Sequence, residues 1–312
     1  MAEDGQGPVL PEVAKIEDVV EVVDGLDSLA MSSEGSDDGK KSDDADTPPS
    51  KTDEGLAIVP FGPQPPTEDC PVCFIPLPRS VPEITYMSCC GKLFCTACFR
   101  ESERILDIKN AKRAEKKLKP LSSLCPFCRT PAPTSDEDMI RRYEKRAEKG
   151  DKTAISSLAH YYRDGRYGLA KDLGKSYDLL YRAANLGRVA AIGELGRMYA
   201  FGLYGVSADE TRGRNYLEKA AKKGDTLALV NLGSLEAKKG RTELALTYMR
   251  TAAEAGEDEA VKCLWKSFRA DKISKDDLEK SLRAHQKANE DMRSEERERH
   301  KRWKKAQEEK NM

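Results

Sequence analysis

Eight of the nine cysteines fall between residues 70 and 128. They come as Cys70 and Cys73, then the adjacent Cys89 and Cys90, then Cys95 and Cys98, and last Cys125 and Cys128. Three of these groups are C-x-x-C knuckles, whose bite sets two thiolates on one metal ion. Eight thiolates are the ligand set of two tetrahedral zinc ions. A structural zinc site contributes about 10–16 kcal/mol of apparent binding free energy to folding, enough to order a stretch too polar to build a core of its own. The expected cofactor is therefore Zn2+, two ions per chain.

What must position these thiols is set by the rest of the 312 residues. Charged residues make up 34% and hydrophobic ones 38%, so part of the chain lacks the apolar surface needed to fold alone. The total charge of −1 hides an asymmetry, because residues 1–69 carry 18 acids against 4 lysines. No apolar run nears the roughly 20 residues that span a bilayer, and Met1, Ala2, Glu3 and Asp4 make an acidic start rather than a basic signal sequence. Knuckle spacing without an export signal predicts reduced thiols in the cytoplasm or nucleus, with no membrane partner.

Residues 1–65 are expected to be a disordered acidic tail, with serines among acids and prolines at 48–49 and 63–66. One island, Val19, Val20, Glu21, Val22, Val23 and Asp24, clusters β-branched residues beside acids. Such a segment can add as a strand to another protein's sheet, and it resembles a SUMO-interacting motif; a chance apolar patch in an acidic tail is the plainer reading.

From Asp136 the chain is expected to be helical and repetitive. Gly150, Gly187, Gly224 and Gly256 mark intervals of 37, 37 and 32 residues. Four residues after each comes Ala154, Ala191, Ala228 or Ala260, and eight after comes Leu158, Leu195, Leu232 or Leu264. Steps of four place these on one helix face. Twelve after come Tyr162, Tyr199, Glu236 and Phe268. The pairs Ala183–Ala184, Ala220–Ala221 and Ala252–Ala253 precede the next glycine at a fixed distance, and paired small residues let helices approach closely. Two helices per unit of this length predict an α-solenoid. Cys263 falls where Ser157, Glu194 and Asn231 stand in the other units and reads as structural.

The run Leu195-Gly196-x-x-Tyr199-x-x-Gly202-x-x-Gly205-Val206-x-x-Asp209, followed by Ala220-Ala221-x-x-Gly224, resembles a Sel1-like repeat, a relative of the tetratricopeptide family. The resemblance covers about 136–290, with a shortened third turn from Lys238 to Thr242 and a degenerate fourth unit holding Trp265. It implies a scaffold that recruits another protein, with packing as the role of the repeat residues. Beyond it, residues 291–312 are densely charged and predict a solvated helical tail with mixed-sign pairs. Trp303 sits in a basic cluster, but interleaved acids argue against a nucleic-acid partner.

The order knuckle, pair, knuckle, knuckle over residues 66–135, with Cys-Gly-x-x-Phe-Cys at 90–95 and Cys-Pro-Phe-Cys-Arg at 125–129, resembles a RING finger. That family implies an interleaved cross-brace, with Cys70, Cys73, Cys95 and Cys98 on one zinc and Cys89, Cys90, Cys125 and Cys128 on the other. The usual RING histidine is replaced by Lys92, which cannot ligate as an ammonium, so the chain is closer to the all-cysteine variants. Those variants keep one residue between their third and fourth ligands, whereas Cys89 and Cys90 are adjacent; the second site is thus expected to be the tighter chelate and the weaker one. The whole is then mainly α: a small zinc-bound α/β module, a helical solenoid and an acidic N-terminus. The resemblance further implies a ubiquitin ligase without a covalent intermediate, which docks a ubiquitin-loaded conjugating enzyme. Val72 and Pro126 would contact that enzyme, and Arg129 would be the linchpin touching enzyme and ubiquitin together. No tryptophan precedes Cys125, which leaves Leu121 or Leu124 for that contact. The alternative is a non-catalytic zinc-binding adaptor.

Overall fold

The chain turns from β to α within the cysteine region. Strands β1 (Ile84–Tyr86) and β2 (Leu93–Cys95) form an antiparallel hairpin with Ile84 opposite Cys95 and Tyr86 opposite Leu93. Helix α1 (Thr96–Glu115) follows without a loop. The computed structural model describes residues 67–78 and 83–310; the acidic segment 1–66, with the island at 19–24, lies outside the described residues, as do 79–82 and 311–312. Phe94 is fully buried at the centre of the module, edge-on to Phe99 and Phe127 at 5.9 and 5.4 Å. The aromatic contacts join β2, α1 and the last knuckle into one small core.

Ten further helices follow: α2 (Asp136–Glu148), α3 (Lys152–Asp164), α4 (Leu173–Asn185), α5 (Val189–Phe201), α6 (Glu210–Lys222), α7 (Thr226–Lys238), α8 (Thr242–Glu254), α9 (Asp258–Arg269), α10 (Lys275–Asp291) and α11 (Glu295–Lys310). Their starts are written in side chains. Ser135, Asp151, Asp172, Asp209, Asp225, Glu257 and Ser274 each accept a backbone N–H of the first turn. α3 and α5 stop at Gly165 and Gly202, both in the left-handed conformation at φ 64° and 66°.

The helices pair as α3–α4, α5–α6 and α7–α8, α2 packs on α3, and α9 and α10 both pack on α8. Ala154, Leu158, Ala191, Leu195, Ala228, Leu232, Ala260 and Leu264 are all buried, as are Ala183, Ala184, Ala220, Ala221, Ala252 and Ala253. Leu180, Leu217 and Met249 belong to the same core, each buried large side chain contributing about 1.5–3 kcal/mol. In the two long units the turn returns to the same anchor, with Asp172 N–H donating to the Tyr162 carbonyl and Asp209 N–H to the Tyr199 carbonyl, both at 2.8 Å. The third unit, shortened as its sequence predicts, replaces the aromatic ring by Glu236. That carboxylate is fully buried between Arg214 and Arg241, and Arg241 N–H also donates to the Glu236 carbonyl at 3.0 Å. No described helix is long and apolar enough to cross a membrane.

One expectation holds only in part. The charged tail is helical, with mixed-sign pairs such as Arg299–Glu295 and with 301–306 exposed, but its first half is docked: α11 lies against α1, Arg297 is buried at 7% exposure, and Arg299 pairs with Glu101 at 2.6 Å. Mixed charge along a helix does not exclude docking when the other surface supplies matching carbonyls and carboxylates.

Candidate metal centres

Each flanking knuckle is a tight turn closed by its own backbone. Cys70 N–H donates to the Ile75 carbonyl at 2.9 Å and Phe74 N–H to the Cys70 carbonyl at 2.8 Å. The last knuckle repeats this geometry: Cys125 N–H donates to the Thr130 carbonyl at 2.9 Å and Arg129 N–H to the Cys125 carbonyl at 3.0 Å. Phe74 and Arg129, each just after the second cysteine, take positive φ of 56° and 63°. The middle pair sits in the β1–β2 loop, where Gly91 N–H and Cys90 N–H both donate to the Met87 carbonyl at 2.7 and 3.2 Å. Gly91 has φ +76°. A Cβ there would come within 1.7 Å of the Arg146 guanidinium, which would have to shift from its place beside Asp151 to make room.

This arrangement sorts the thiols. Cys95 ends β2, whereas Cys90 lies in the β1–β2 loop before it. Cys98, on the first turn of α1, stays with Cys95. The eight sulfurs gather as Cys70, Cys73, Cys95 and Cys98 in one set and Cys89, Cys90, Cys125 and Cys128 in the other, all atoms of a set within 4.8 Å of one another. The two sets are those that the family resemblance implies. Sulfur separations are 3.9 Å for Cys73–Cys95, 3.8 Å for Cys90–Cys125 and 3.4 Å for Cys89–Cys128. Four thiolates at about 2.3 Å from a tetrahedral ion lie about 3.8 Å apart, whereas a disulfide needs about 2.05 Å. The spacing suits a metal and is not that of a disulfide.

The thiols differ in their surroundings. Cys70, Cys95, Cys98 and Cys125 are buried, and Cys128 is exposed. Burial pushes the Cys73, Cys89 and Cys90 thiols up. A hydrogen bond from the Cys98 thiol holds Cys95 down to about 5, with the Arg297 cation adding to it, and the same bond sends Cys98 up. The Thr130 hydroxyl, 3.2 Å away, is the main reason that Cys128 is held down to about 6. In each set one thiol ionises readily while others resist, Cys73 and Cys98 in the first and Cys89 and Cys90 in the second. A cation at the centre of each set would remove that resistance. Backbone helps the first set, where Cys95 N–H points at Cys70 Sγ over 3.4 Å.

The surface around the knuckles is apolar for an exposed one. Seven of the twelve exposed large hydrophobic side chains among the described residues lie here: Val72, Phe74, Ile105, Ile108, Leu118, Leu121 and Leu124. Pro126 and Arg129 are exposed as well. Asn110, which sequence reading passed over, ties the long connection to α1, its amide donating to the Leu121 carbonyl at 3.1 Å while its Oδ1 accepts Leu121 N–H at 2.7 Å. A second joint fixes the module to the repeats. Tyr86 Oη donates to Asp151 Oδ2 at 2.8 Å, and Arg146 donates to the same oxygen at 2.7 and 3.0 Å. Cys263 is apart from both thiol sets, packed against the helical core, and burial raises its thiol.

Comparison with known proteins addresses the helices. The Sel1 repeat matches at residues 153–187, 189–225 and 228–257, beyond the cysteine module. Among solved structures, a Sel1 repeat protein from Oxalobacter formigenes is 30% identical over 49% of this chain and 64% of its own, with a TM-score of 0.42. A protective antigen of uropathogenic Escherichia coli strains with an SLR fold is 23% identical over 53% of this chain and 44% of its own, TM-score 0.40. An immunity protein, Pa5087 from Pseudomonas aeruginosa, is 20% identical over 59% of this chain and 81% of its own, TM-score 0.32. The chain thus spans less than two thirds of the first two relatives. No curated protein matches it. The matched residues coincide with the helix pairs from α3 through α8, so the helical part of this chain carries Sel1 repeats.

Proposed function

We propose that this protein is a zinc-braced interaction scaffold, in which two zinc ions stiffen a docking module and the Sel1 repeats recruit a second protein. The carrying observation is the gathering of eight thiols into two interleaved sets with sulfur spacings suited to tetrahedral ions. Because each set takes ligands from two separate knuckles or a knuckle and a loop, an ion in it would cross-link the module and hold its exposed apolar side chains at fixed positions. Exposed apolar surface of this density marks a protein-docking face. Unmodified cysteines fit a reducing compartment, cytoplasm or nucleus.

A finer reading gives that face an occupant, a ubiquitin-loaded conjugating enzyme, with Val72 and Pro126 as contacts and Arg129 as the linchpin. Its support is local: Val72 is 45% exposed, Leu124 40%, and Arg129 is exposed beside the last knuckle. The chain would then act by holding a thioester in a reactive geometry, contributing no covalent step of its own.

The full chain should contain two zinc ions by elemental analysis, and chelation should unfold the cysteine module; metal-free protein with a folded module would end the zinc reading. Self-ubiquitination with a panel of conjugating enzymes tests the finer one. Activity lost in Arg129→Ala and Val72→Ala supports a ligase, and silence with every enzyme leaves the scaffold.

A further inference from the structure

Arg297 is the residue of α11 that the charged tail does not explain. It is buried at 7% exposure, and no carboxylate pairs with it among the described residues. Its Nη1 donates to the Met292 carbonyl at 2.8 Å, at the entrance of its own helix. Its Nη2 points into the first knuckle, 2.8 Å from the Pro76 carbonyl, 3.4 Å from the Ile75 carbonyl and 3.9 Å from Cys73 Sγ. Cys73 and Arg297 are 224 residues apart in sequence. The rest of α11 reinforces the contact: Arg299 pairs with Glu101 at 2.6 Å, and the Arg100 guanidinium lies 5.5 Å from the Trp303 ring. His300 stacks on Trp303 and lines, with Cys95, Ala97, Met292 and Arg297, the cleft between α11 and the module.

A buried guanidinium without a carboxylate needs another source of negative potential. Carbonyl dipoles supply part of it. Four thiolates around one dication carry a net charge of −2, and their sulfurs accept hydrogen bonds, so a metal-loaded first set is the missing counter-charge. Among the described residues the second set has no such cation on a sulfur: Arg142 donates to the Pro131 carbonyl and to Asp138 instead.

We propose that Arg297 is an outer-shell residue of the first metal site and that it couples occupancy of that site to docking of the C-terminal helix. The inference rests on the zinc reading above. The ion would hold the 70–76 turn in the shape that presents the Ile75 and Pro76 carbonyls, and α11 would in turn hold that turn around the ion. Such coupling is reciprocal: whatever metal contributes to helix docking, docking contributes to metal retention.

The test uses the full-length protein with zinc content measured first, then zinc release to a chromophoric chelator. Arg297→Gln should release one of its two ions about tenfold faster or more, the usual effect of losing an outer-shell partner, while the other leaves as in wild type. Arg302→Gln, a charge loss at an exposed position of the same helix, should leave both rates unchanged. In wild-type protein, chelation should speed amide hydrogen exchange across 295–310, a readout that needs no variant to fold. Wild-type release rates in Arg297→Gln, or exchange in α11 indifferent to metal, would overturn the coupling and leave the zinc sites standing. A chain purified without zinc fails at the first measurement, and takes the zinc reading with it.

Discussion

Asp151 shows how much one carboxylate can organise. Its Oδ1 caps α3 by accepting Thr153 and Ala154 N–H at 3.0 and 3.2 Å, while its Oδ2 accepts from Tyr86 and Arg146. Burial pushes this carboxyl up, but the hydrogen bonds of Tyr86 and Arg146 outweigh it and hold the group below the usual carboxylate value. An acid so depressed stabilises the fold above its unfolded pKa of about 3.9 and loses that contribution as pH falls further. Asp151→Ala should cost about 3 kcal/mol in urea unfolding near neutral pH, about 1 from the cap and the rest from two donors left unpaired. A loss below about 1 kcal/mol would mean that the joint between module and repeats is idle. Asp225 behaves in the opposite sense. Burial, with Glu257 and Glu194 nearby, pushes its carboxyl up to about 6 while it caps α7. The folded state then binds the extra proton, so this group's contribution falls as pH rises from about 4 to about 6 and stays low above. Asp225→Asn keeps an oxygen for the Ala228 N–H, and its stability advantage over wild type should grow across that window. An advantage independent of pH would sink the argument.

At the scale of elements, close approach between paired helices is bought with glycine. A Cβ on Gly213 of α6 would lie 2.4 Å from the Ala200 nitrogen and 2.6 Å from its Cα in α5, and backbone cannot swing aside. Gly205 in the turn between these helices has open space around it but a φ of +81°. Gly213→Ala should therefore cost about 3 kcal/mol by forcing the pair apart, and Gly205→Ala about 1 kcal/mol through backbone strain alone. Equal losses in thermal or urea unfolding would contradict the packing argument. Gly205 stands in the sequence as a letter of the repeat, whereas Gly213 carries no mark in the glycine, alanine and leucine period, and the distance to Ala200 says what its smallness is for. Ala154, Leu158 and their counterparts were legible in full, because i to i+4 spacing and a buried face are the same fact.

The whole molecule adds contacts that no local pattern encodes. Four helix pairs, counted from their glycines, follow from periodicity, and the Sel1 match falls on three of them. The knuckles follow from C-x-x-C spacing. Which knuckle meets which came only through family resemblance, since spacing alone allows sequential as well as interleaved pairing; in the structure the sulfurs gather in the interleaved sets. The sequence read the tail as charge facing water, whereas α11 returns to the cysteine module through Arg297, Arg299 and Trp303. By itself, then, the amino-acid sequence determined the helical repeat, its period and the clustering of sulfur, all of which rest on spacing within a turn, a repeat unit or a knuckle. Tertiary structure alone decided the Tyr86–Asp151 joint and the Arg297 clamp, whose partners stand 65 and 224 residues apart. Their bonds depend on where two surfaces meet after folding, and a single chain's spacing carries no record of that meeting.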